Sequence, residues 1–559
     1  MTQAPDSPAH AMAARQREIA VSEFFLRNRH LLGFDSPHKA IVTTVREAVD
    51  NALDACEEAG ILPELRIEVS EQSDHRFLVA VEDNGPGIVE EQIARIFGKL
   101  LYGSKFHGLR QSRGQQGMGI SAAGMYGQLT TARPMRILSR IEGEPRASEM
   151  LVSIDTSRNR PDIHRKRKVT WRRRHGTRVE VEMEGHYTHG EHSVEMYLKQ
   201  TAIANPHVTL RFTDPNGNRH VFRRSTEVLP PLPDRVKPHP HGVELGQLIQ
   251  MLHDTPSRTL RRFLEDDFSR IGAKTARRII ERTRGRLTDR SNPRRIAHAT
   301  AAQLHRAITR EKILAPRSDC LVPIGEAQLL EGLRKELDAD FFFVVTRAPA
   351  VYRGNSFQVE VGIAWGRPGC QVLAVDAEGR IVRRHRQAAA SKRSADDPAR
   401  VLRFANRVPL LYQHSSCAIT KAVRQTNWRS YGLRQQKGNL PVAPMVIVAH
   451  VASVWVPFTS ESKEAVAPLP EITRELVLAL QEAGRRLATH IHRDEQLERE
   501  YEKRAYIERY LPHVGTGLQE ILALSNRERD RTIERLDAIL HRSRQSKAAP
   551  EHGAKAKKS

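Results

Sequence analysis

The apolar positions of this chain change period several times along its length. From Ile41 to Glu58 they recur at intervals of three and four, the spacing of one face of a helix. Leu65–Val69 and Phe77–Glu82 alternate apolar and polar residues, as half-buried strands do, and Arg178–Met183 reads as a further strand. The run Leu229-Pro-Pro-Leu-Pro-Asp-Arg interrupts both periods and predicts a linker. From about 235 to 318 the chain is arginine-rich and helical in pattern, with few strand signals. Strand patterns return at Phe341–Thr346, Ser356–Ala364 and Met445–Val456, and Pro468 and Pro470 close that stretch. Glu471 to about Glu508 predicts one helix, roughly 57 Å long if continuous. Gly484 is its expected weak point, since glycine costs about 1 kcal/mol relative to alanine there. No internal repeat is evident. The shifts predict an α+β multidomain chain with units at 1–228, 229–318, 319–470 and 471–559.

Composition narrows the class. The 559 residues suffice for three or four domains, each with its own core. Apolar residues make up 39% and charged residues 28%, which excludes a wholly disordered or collagen-like chain. Lys and Arg total 89 against 66 Asp and Glu, a formal charge of +23 that points to a polyanionic partner, nucleic acid first. Within 158–174 nine basic residues face one acid, Asp162, which reads as a solvated loop or as a loop on phosphates. The tail from His541 carries six basic residues against Glu551 and reads as solvated disorder. The longest apolar run, Pro444 to Phe458, has 15 residues and includes His450 and Ser453, too short to span a bilayer. No charged-then-apolar leader opens the chain. Cys56, Cys320, Cys370 and Cys417 lack metal or redox spacing and predict reduced thiols in a cytoplasm.

Three segments carry candidate chemistry. In Arg46-Glu47-Ala48-Val49-Asp50-Asn51-Ala52-Leu53-Asp54, residues Glu47, Asn51 and Asp54 share one helix face. Alone, that is also the pattern of a solvent-exposed face. Asp83-Asn84-Gly85-Pro86-Gly87 follows a strand, and its two glycines let a ligand approach the backbone while Asp83 can accept an amine hydrogen bond. Arg113-Gly114-Gln115-Gln116-Gly117-Met118-Gly119-Ile120-Ser121 is a glycine-rich loop opening a helix, an arrangement that cradles phosphate with backbone N–H groups. A dinucleotide fingerprint is excluded because polar residues, not a buried strand, precede it, and no P-loop or kinase signature occurs.

These segments in this order, followed by His175-Gly176-Thr177, resemble the GHKL (Bergerat-fold) ATPases, a superfamily of α/β sandwich domains. The resemblance implies ATP and Mg²⁺ as ligands. It makes Glu47 the general base and Asn51 the Mg²⁺ ligand, with Asp83 and Thr177 on the adenine beside Gly85 and Gly87. Gly114 to Ser121 would form the lid over the phosphates, and Ser104 and Lys105 would add a hydroxyl and a cation, although Lys105 also reads as a surface lysine.

The segment from Ser22 to Asp35, the Phe97–His107 segment and the lid further resemble the B subunits of type IIB DNA topoisomerases. So does Ala452–Ala465, where Lys463 would be a switch lysine reaching the γ-phosphate from a transducer domain. Asp267–Ile280 fits that family's helix–two-turns–helix domain, either contacting DNA or simply packing, with Gly272 as the turn before a helix. Trp428-Arg429-Ser430-Tyr431 resembles its Trp-Lys-x-Tyr DNA-sensing motif, with Arg429 in place of lysine. The resemblance implies a C-terminal helical stalk ahead of the basic tail. It also implies dimerisation on ATP, double-stranded DNA as substrate, a DNA-cleaving topoisomerase VI A subunit in an A2B2 heterotetramer, and action on the nucleoid in the cytoplasm with no membrane role. A MutL-like or chaperone ATPase, a histidine kinase and a non-catalytic ATP-operated clamp are the alternatives; intact Glu47 and Asn51 argue against the last.

Overall fold

The computed structural model describes residues 19, 23–24, 27–103, 109–114, 118–366, 371–375, 381–385, 397–460 and 462–545. Its first unit is an eight-stranded sheet. The strands are β1 (Glu64–Ser73), β2 (Arg76–Glu82), β3 (Met135–Arg140), β4 (Ala147–Asp155), β5 (Arg160–Val169), β6 (Gly176–Glu184), β7 (Thr209–Thr213) and β8 (Arg219–Phe222). Their order is β5-β4-β3-β6-β2-β1-β7-β8, antiparallel throughout except where β1 meets β7. Helices α1 (Pro37–Glu58), α2 (Glu90–Gly98), α3 (Gly119–Thr131) and α4 (Val194–Ala204) accompany it. Ile41, Val45, Val49 and Leu53 of α1 join Ile67, Val79, Val81 and Met183 of the sheet in one core. The apolar period read from the sequence is therefore the face that α1 buries.

The basic run forms an edge strand rather than the expected loop. β4 supplies the ladder for β5, while Lys166 and Lys168 pair with Glu90, and Arg167 pairs with Glu149. Cations along an outer strand also discourage pairing with another chain.

Four helices follow the proline cluster: α5 (Leu245–Asp254), α6 (Leu260–Asp267), α7 (Ala273–Glu281) and α8 (His298–Arg310). Leu248, Phe263, Leu264, Ile279, Ile280 and Leu304 fill their shared core. Gly272 precedes α7, whose Lys274, Arg277 and Arg278 are exposed while Ala276, Ile279 and Ile280 are buried.

The second sheet contains β9 (Phe341–Thr346), β10 (Ala350–Tyr352), β11 (Asn355–Trp365), β14 (Arg400–Ala405), β15 (Val408–Pro409) and β16 (Met445–Ser453). It runs β10-β11-β16-β14-β15, with β9 also on β11; β12 (Gln371–Val375) and β13 (Ile381–His385) make a separate ribbon. Helices α9 (Glu326–Glu336) and α10 (Ala418–Gln425) lie against the sheet's cores. The final helices are α11 (Pro470–Leu522) and α12 (Asn526–Gln545). At 53 residues α11 is about 80 Å long and outruns the expected helix. Ile472, Leu476, Ala479, Leu480, Ala483 and Leu487 seat its first turns in the core of the second sheet. Gly484 is not a weak point: the Tyr431 ring packs where a Cβ would lie. The helix passes through Pro512 and reverses at Ala523, and α12 returns with Ile533 against Gly515. Residues 546–559, which include most of the basic tail, lie outside the described residues, as does Cys370; Cys56, Cys320 and Cys417 are buried free thiols.

Two buried polar groups lock β11 to β16. Glu360 accepts hydrogen bonds from the backbone of Ile324 and Gly325 and from Thr346 Oγ1, and lies 2.7 Å from His450 Nδ1. Removing one partner of such a set leaves several buried groups unpaired. Glu360→Ala is predicted to destabilise the second sheet by about 3–5 kcal/mol, read as a fall in denaturation midpoint.

Candidate functional site

Between α1, the β2–α2 turn, the start of α3 and the loop before α11 lies a cavity of about 600 Å³. Glu47, Asn51, Asp83, Gly87, Gly114, Met118, Gly119, Ile120, Ser121, Thr177 and Lys463 all line it. Glu47 and Asn51 are one turn apart on α1, which points both at the cavity. Arg46 holds Glu47 Oε1 at 2.9 Å. Gly119, the first residue of α3, abuts Glu47 so closely that an added Cβ would overlap the carboxylate. Only glycine permits that approach between the acid and a helix N-terminus, where backbone N–H groups and the helix dipole favour an anion.

Asp83 occupies the other end. Its Oδ1 accepts from the backbone N–H of Gly85 at 2.8 Å and of Thr177 at 3.0 Å, and its own N–H donates to the Thr177 carbonyl. Thr177 Oγ1 meets Ser139 Oγ at 3.1 Å, and Ser139 Oγ accepts from Ile88 N at 2.8 Å, which closes the pocket floor. Gly87 has φ +78°, and a Cβ there would collide with the Arg140 carbonyl. Burial pushes the Asp83 carboxyl up to about 6, against the lowering effect of its two backbone hydrogen bonds.

Among the lid residues, Gly114 and Met118–Ser121 are placed at the cavity. Ser121 also ties α3 to α2, donating to the Ile96 and Lys99 carbonyls at 3.0 and 3.2 Å. Ser104, Lys105, Gln115, Gln116 and Gly117 lie outside the described residues. Lys463, at φ +53°, reaches in from the second sheet's unit and donates from Nζ to the Arg113 carbonyl at 3.3 Å. Its neighbour Glu464 meets Lys39 of α1 at 3.3 Å.

The Trp428 segment lies elsewhere. Trp428 is 0% exposed and donates Nε1–H to the Val423 carbonyl at 2.8 Å, while Tyr431 packs between it and α11. The ring of Trp428 therefore offers no surface to a duplex; Arg429 and Ser430 are exposed, and Arg429 Nε donates to the Gln435 carbonyl.

The motif reading missed the framework behind the cavity. Arg113 Nη1 and Nη2 form a bidentate pair with Glu57 at 2.7 Å each, and also reach Asp54 at 2.9 Å and Asn205 at 2.6 Å. His207 Nε2 shares Glu57 at 2.7 Å. Burial alone would raise the Glu57 pKa, yet Arg113 and His207 hold it well below the usual carboxylate range. Asp50 is pushed up to about 7, first by burial and then by Glu47, and accepts from Tyr197 Oη at 3.2 Å. Asp54 and Glu57 at i and i+3 on α1 were the available signal; Asn205 and His207 carried none, because only the fold brings them near.

The raised Asp83 pKa has a definite sign. The native state holds this proton to about pH 6 and the unfolded chain only to the ordinary carboxylate value, so the group's contribution to stability is lost as pH rises through 6. Asn keeps the Oδ1 acceptor without the charge. Asp83→Asn should raise the melting temperature relative to the parent at pH 7.5 and lose that advantage at pH 4; equal effects at both values would remove the assigned cause.

Comparison with known proteins matches the two halves of this geometry. Residues 37–187 match the family of histidine kinase-, DNA gyrase B- and HSP90-like ATPases, and residues 316–503 match the transducer of the topoisomerase VI B subunit. The B subunit of type 2 DNA topoisomerase 6 from Archaeoglobus fulgidus is 45% identical over 95% of this chain and 84% of its own length. The B subunits of the same enzyme from Methanococcoides burtonii and Methanosarcina mazei are 45% and 44% identical, each over 92% of this chain and 79% of their own. An ATPase unit and a transducer in one chain, matched over nearly its whole length, mean that the chain belongs to the topoisomerase VI B-subunit family, the ATP-driven subunits of type IIB DNA topoisomerases.

Proposed function

We propose that ATP bound in the cavity joins two copies of this chain around a duplex and that hydrolysis resets them. The observation that carries the reading is the approach of Glu47, Asn51, Asp83 and Lys463 to one cavity from separate elements. Asp83 accepts the adenine amine, with Thr177 beside it. Met118 to Ser121, with Gly114, surround the phosphates with backbone N–H groups. Glu47 orients the attacking water and accepts its proton at a carboxylate oxygen. Asn51 offers one amide oxygen and no charge at the cavity and would hold Mg²⁺ there, an ion that takes few protein ligands. That ion, when bound, would neutralise phosphate charge. Lys463 places its ammonium beside the lid and passes the state of the γ-phosphate to the second sheet and α11.

The duplex passes through a break made by a separate DNA-cleaving A subunit in an A2B2 heterotetramer, relaxing or decatenating DNA. Exposed cations of β5, α7 and Arg429 supply contacts that weaken steeply with salt. The chain works on the nucleoid in the cytoplasm; among the described residues no helix is long and apolar enough to cross a membrane.

Glu47→Ala should lower ATP turnover by at least about 100-fold while leaving affinity for a non-hydrolysable ATP analogue within about threefold. Lys463→Ala should lower turnover with an intact adenine pocket, seen as unchanged adenosine binding. Loss of analogue binding in Glu47→Ala, or parental turnover in either variant, would contradict the assigned roles.

A further inference from the structure

Behind the cavity, the turn between β14 and β15 carries a feature that the roles above do not use. Phe404 pairs with Pro409 and Ala405 with Val408, so Asn406 and Arg407 form a two-residue hairpin turn, at φ +47° and +67°. Glycine is the usual residue at the second position of such a turn, because a Cβ is strained there. An arginine retained in that conformation is held by what its side chain touches. Arg407 is 4% exposed. Its Nη2 donates to the Pro323 carbonyl at 2.9 Å, its backbone N–H to His450 Nε2 at 3.0 Å, and its carbonyl accepts from Asn205 Nδ2 at 3.2 Å. Its Nε and Nη1 have no hydrogen-bond partner among the described residues. The guanidinium feels attraction from Glu57 and repulsion from Arg113; burial lowers its pKa to about 10, so it stays charged at neutral pH.

Asn406 completes the contact. Its Nδ2 donates to the Ser112 carbonyl at 3.1 Å and to the Ser453 carbonyl at 2.9 Å. One hairpin tip of the second sheet thus bonds Ser112, where the lid begins, and lines one small cavity together with Arg113 and with Glu57 on the helix that bears Glu47. A cavity of about 50 Å³ lined by Glu57, Arg113 and Arg407 separates these groups from the Pro230–Pro233 linker.

We propose that the Asn406-Arg407 tip is a positioning device, separate from Lys463, by which the second sheet holds the foot of the lid and the Glu47 helix in the register that hydrolysis requires. Arg407 acts through Glu57 and Arg113 and does not touch the nucleotide. The proposal rests on the roles given above to Glu47 and the lid. Lys463 bonds the lid foot at the Arg113 carbonyl, whereas the Asn406-Arg407 tip bonds it at the Ser112 carbonyl through Asn406. Substitution of Arg407 should therefore alter turnover without altering nucleotide affinity.

The test uses the full-length chain and follows steady-state ATP hydrolysis, equilibrium binding of a non-hydrolysable ATP analogue, and melting temperature. Arg407→Gly removes the side chain and relieves the turn, so its melting temperature should hold or rise. Its kcat should fall about tenfold, with KM and analogue affinity within about twofold of the parent. Arg407→Lys, which keeps charge and reach, should recover part of the loss. Adding Glu57→Gln to Arg407→Gly should cost less than the product of the separate effects. Parental kcat in Arg407→Gly overturns the proposal, as does a fall in analogue affinity equal to the fall in kcat. If the parent itself turns over no ATP, the roles of Glu47 and the lid fail and the proposal falls with them; if the parent turns over and Arg407→Gly matches it, the positioning role alone fails.

Discussion

Arg113 is a guanidinium removed from water at the point where the lid begins, and the arrangement of the ATPase unit around it follows from the need to compensate that charge. Glu57 engages it bidentately while Asp54 and Asn205 take the other two Nη hydrogen bonds, and Nε has no hydrogen-bond partner among the described residues. Charged bidentate pairs of this kind are the strongest fixed contacts side chains make, and a buried one is tolerable only with its partners present. The helix that presents Glu47 and Asn51 to the cavity therefore uses its next turn to anchor Arg113, and one rigid element sets both Glu47 and the start of the glycine-rich loop.

The same anchor connects the two sheets. The Arg113 carbonyl receives Lys463, the Ser112 carbonyl receives Asn406, and Gln111 exchanges two hydrogen bonds with Val322 at 2.8 and 2.9 Å. Movement of the lid must either break these contacts or carry the second sheet along. α11 starts in the core of that sheet and extends beyond it, so a rotation of the sheet is delivered some tens of ångströms away as a displacement of the helix tip. Packed cores shift between discrete arrangements more readily than they deform, which suits a gate.

Local chemistry made much of this legible in the sequence. The strands expected at Phe77–Glu82 and Phe341–Thr346 are present as Arg76–Glu82 and Phe341–Thr346, because alternation and β-branched content are properties of short segments. Helical spacing and turn glycines single out Glu47, Asn51, Asp83 and the glycine-rich loop, while the resemblance to the GHKL ATPases and the topoisomerase B subunits groups them and adds Thr177 and Lys463. The basic run gave no strand signal, since its ladder comes from β4 and its charges are balanced by Glu90 and Glu149, both distant in sequence. Trp428 reads as a DNA-sensing residue from the resemblance of Trp428–Tyr431 to a family motif, and a motif does not say which way the ring faces. Gly484 looked like a break because the ring it accommodates lies 53 positions away, at Tyr431. Asn205, His207 and Arg407 were invisible for the same reason: their function lies in a contact made only by the folded chain.

The most direct measurement is the topology of supercoiled plasmid incubated with this chain and the DNA-cleaving partner of a type IIB topoisomerase, with and without ATP, and with each protein alone. The account predicts relaxation only with both proteins and ATP. Relaxation by the chain alone, or ATP turnover stimulated by DNA with plasmid topology unchanged in the complete mixture, would contradict it.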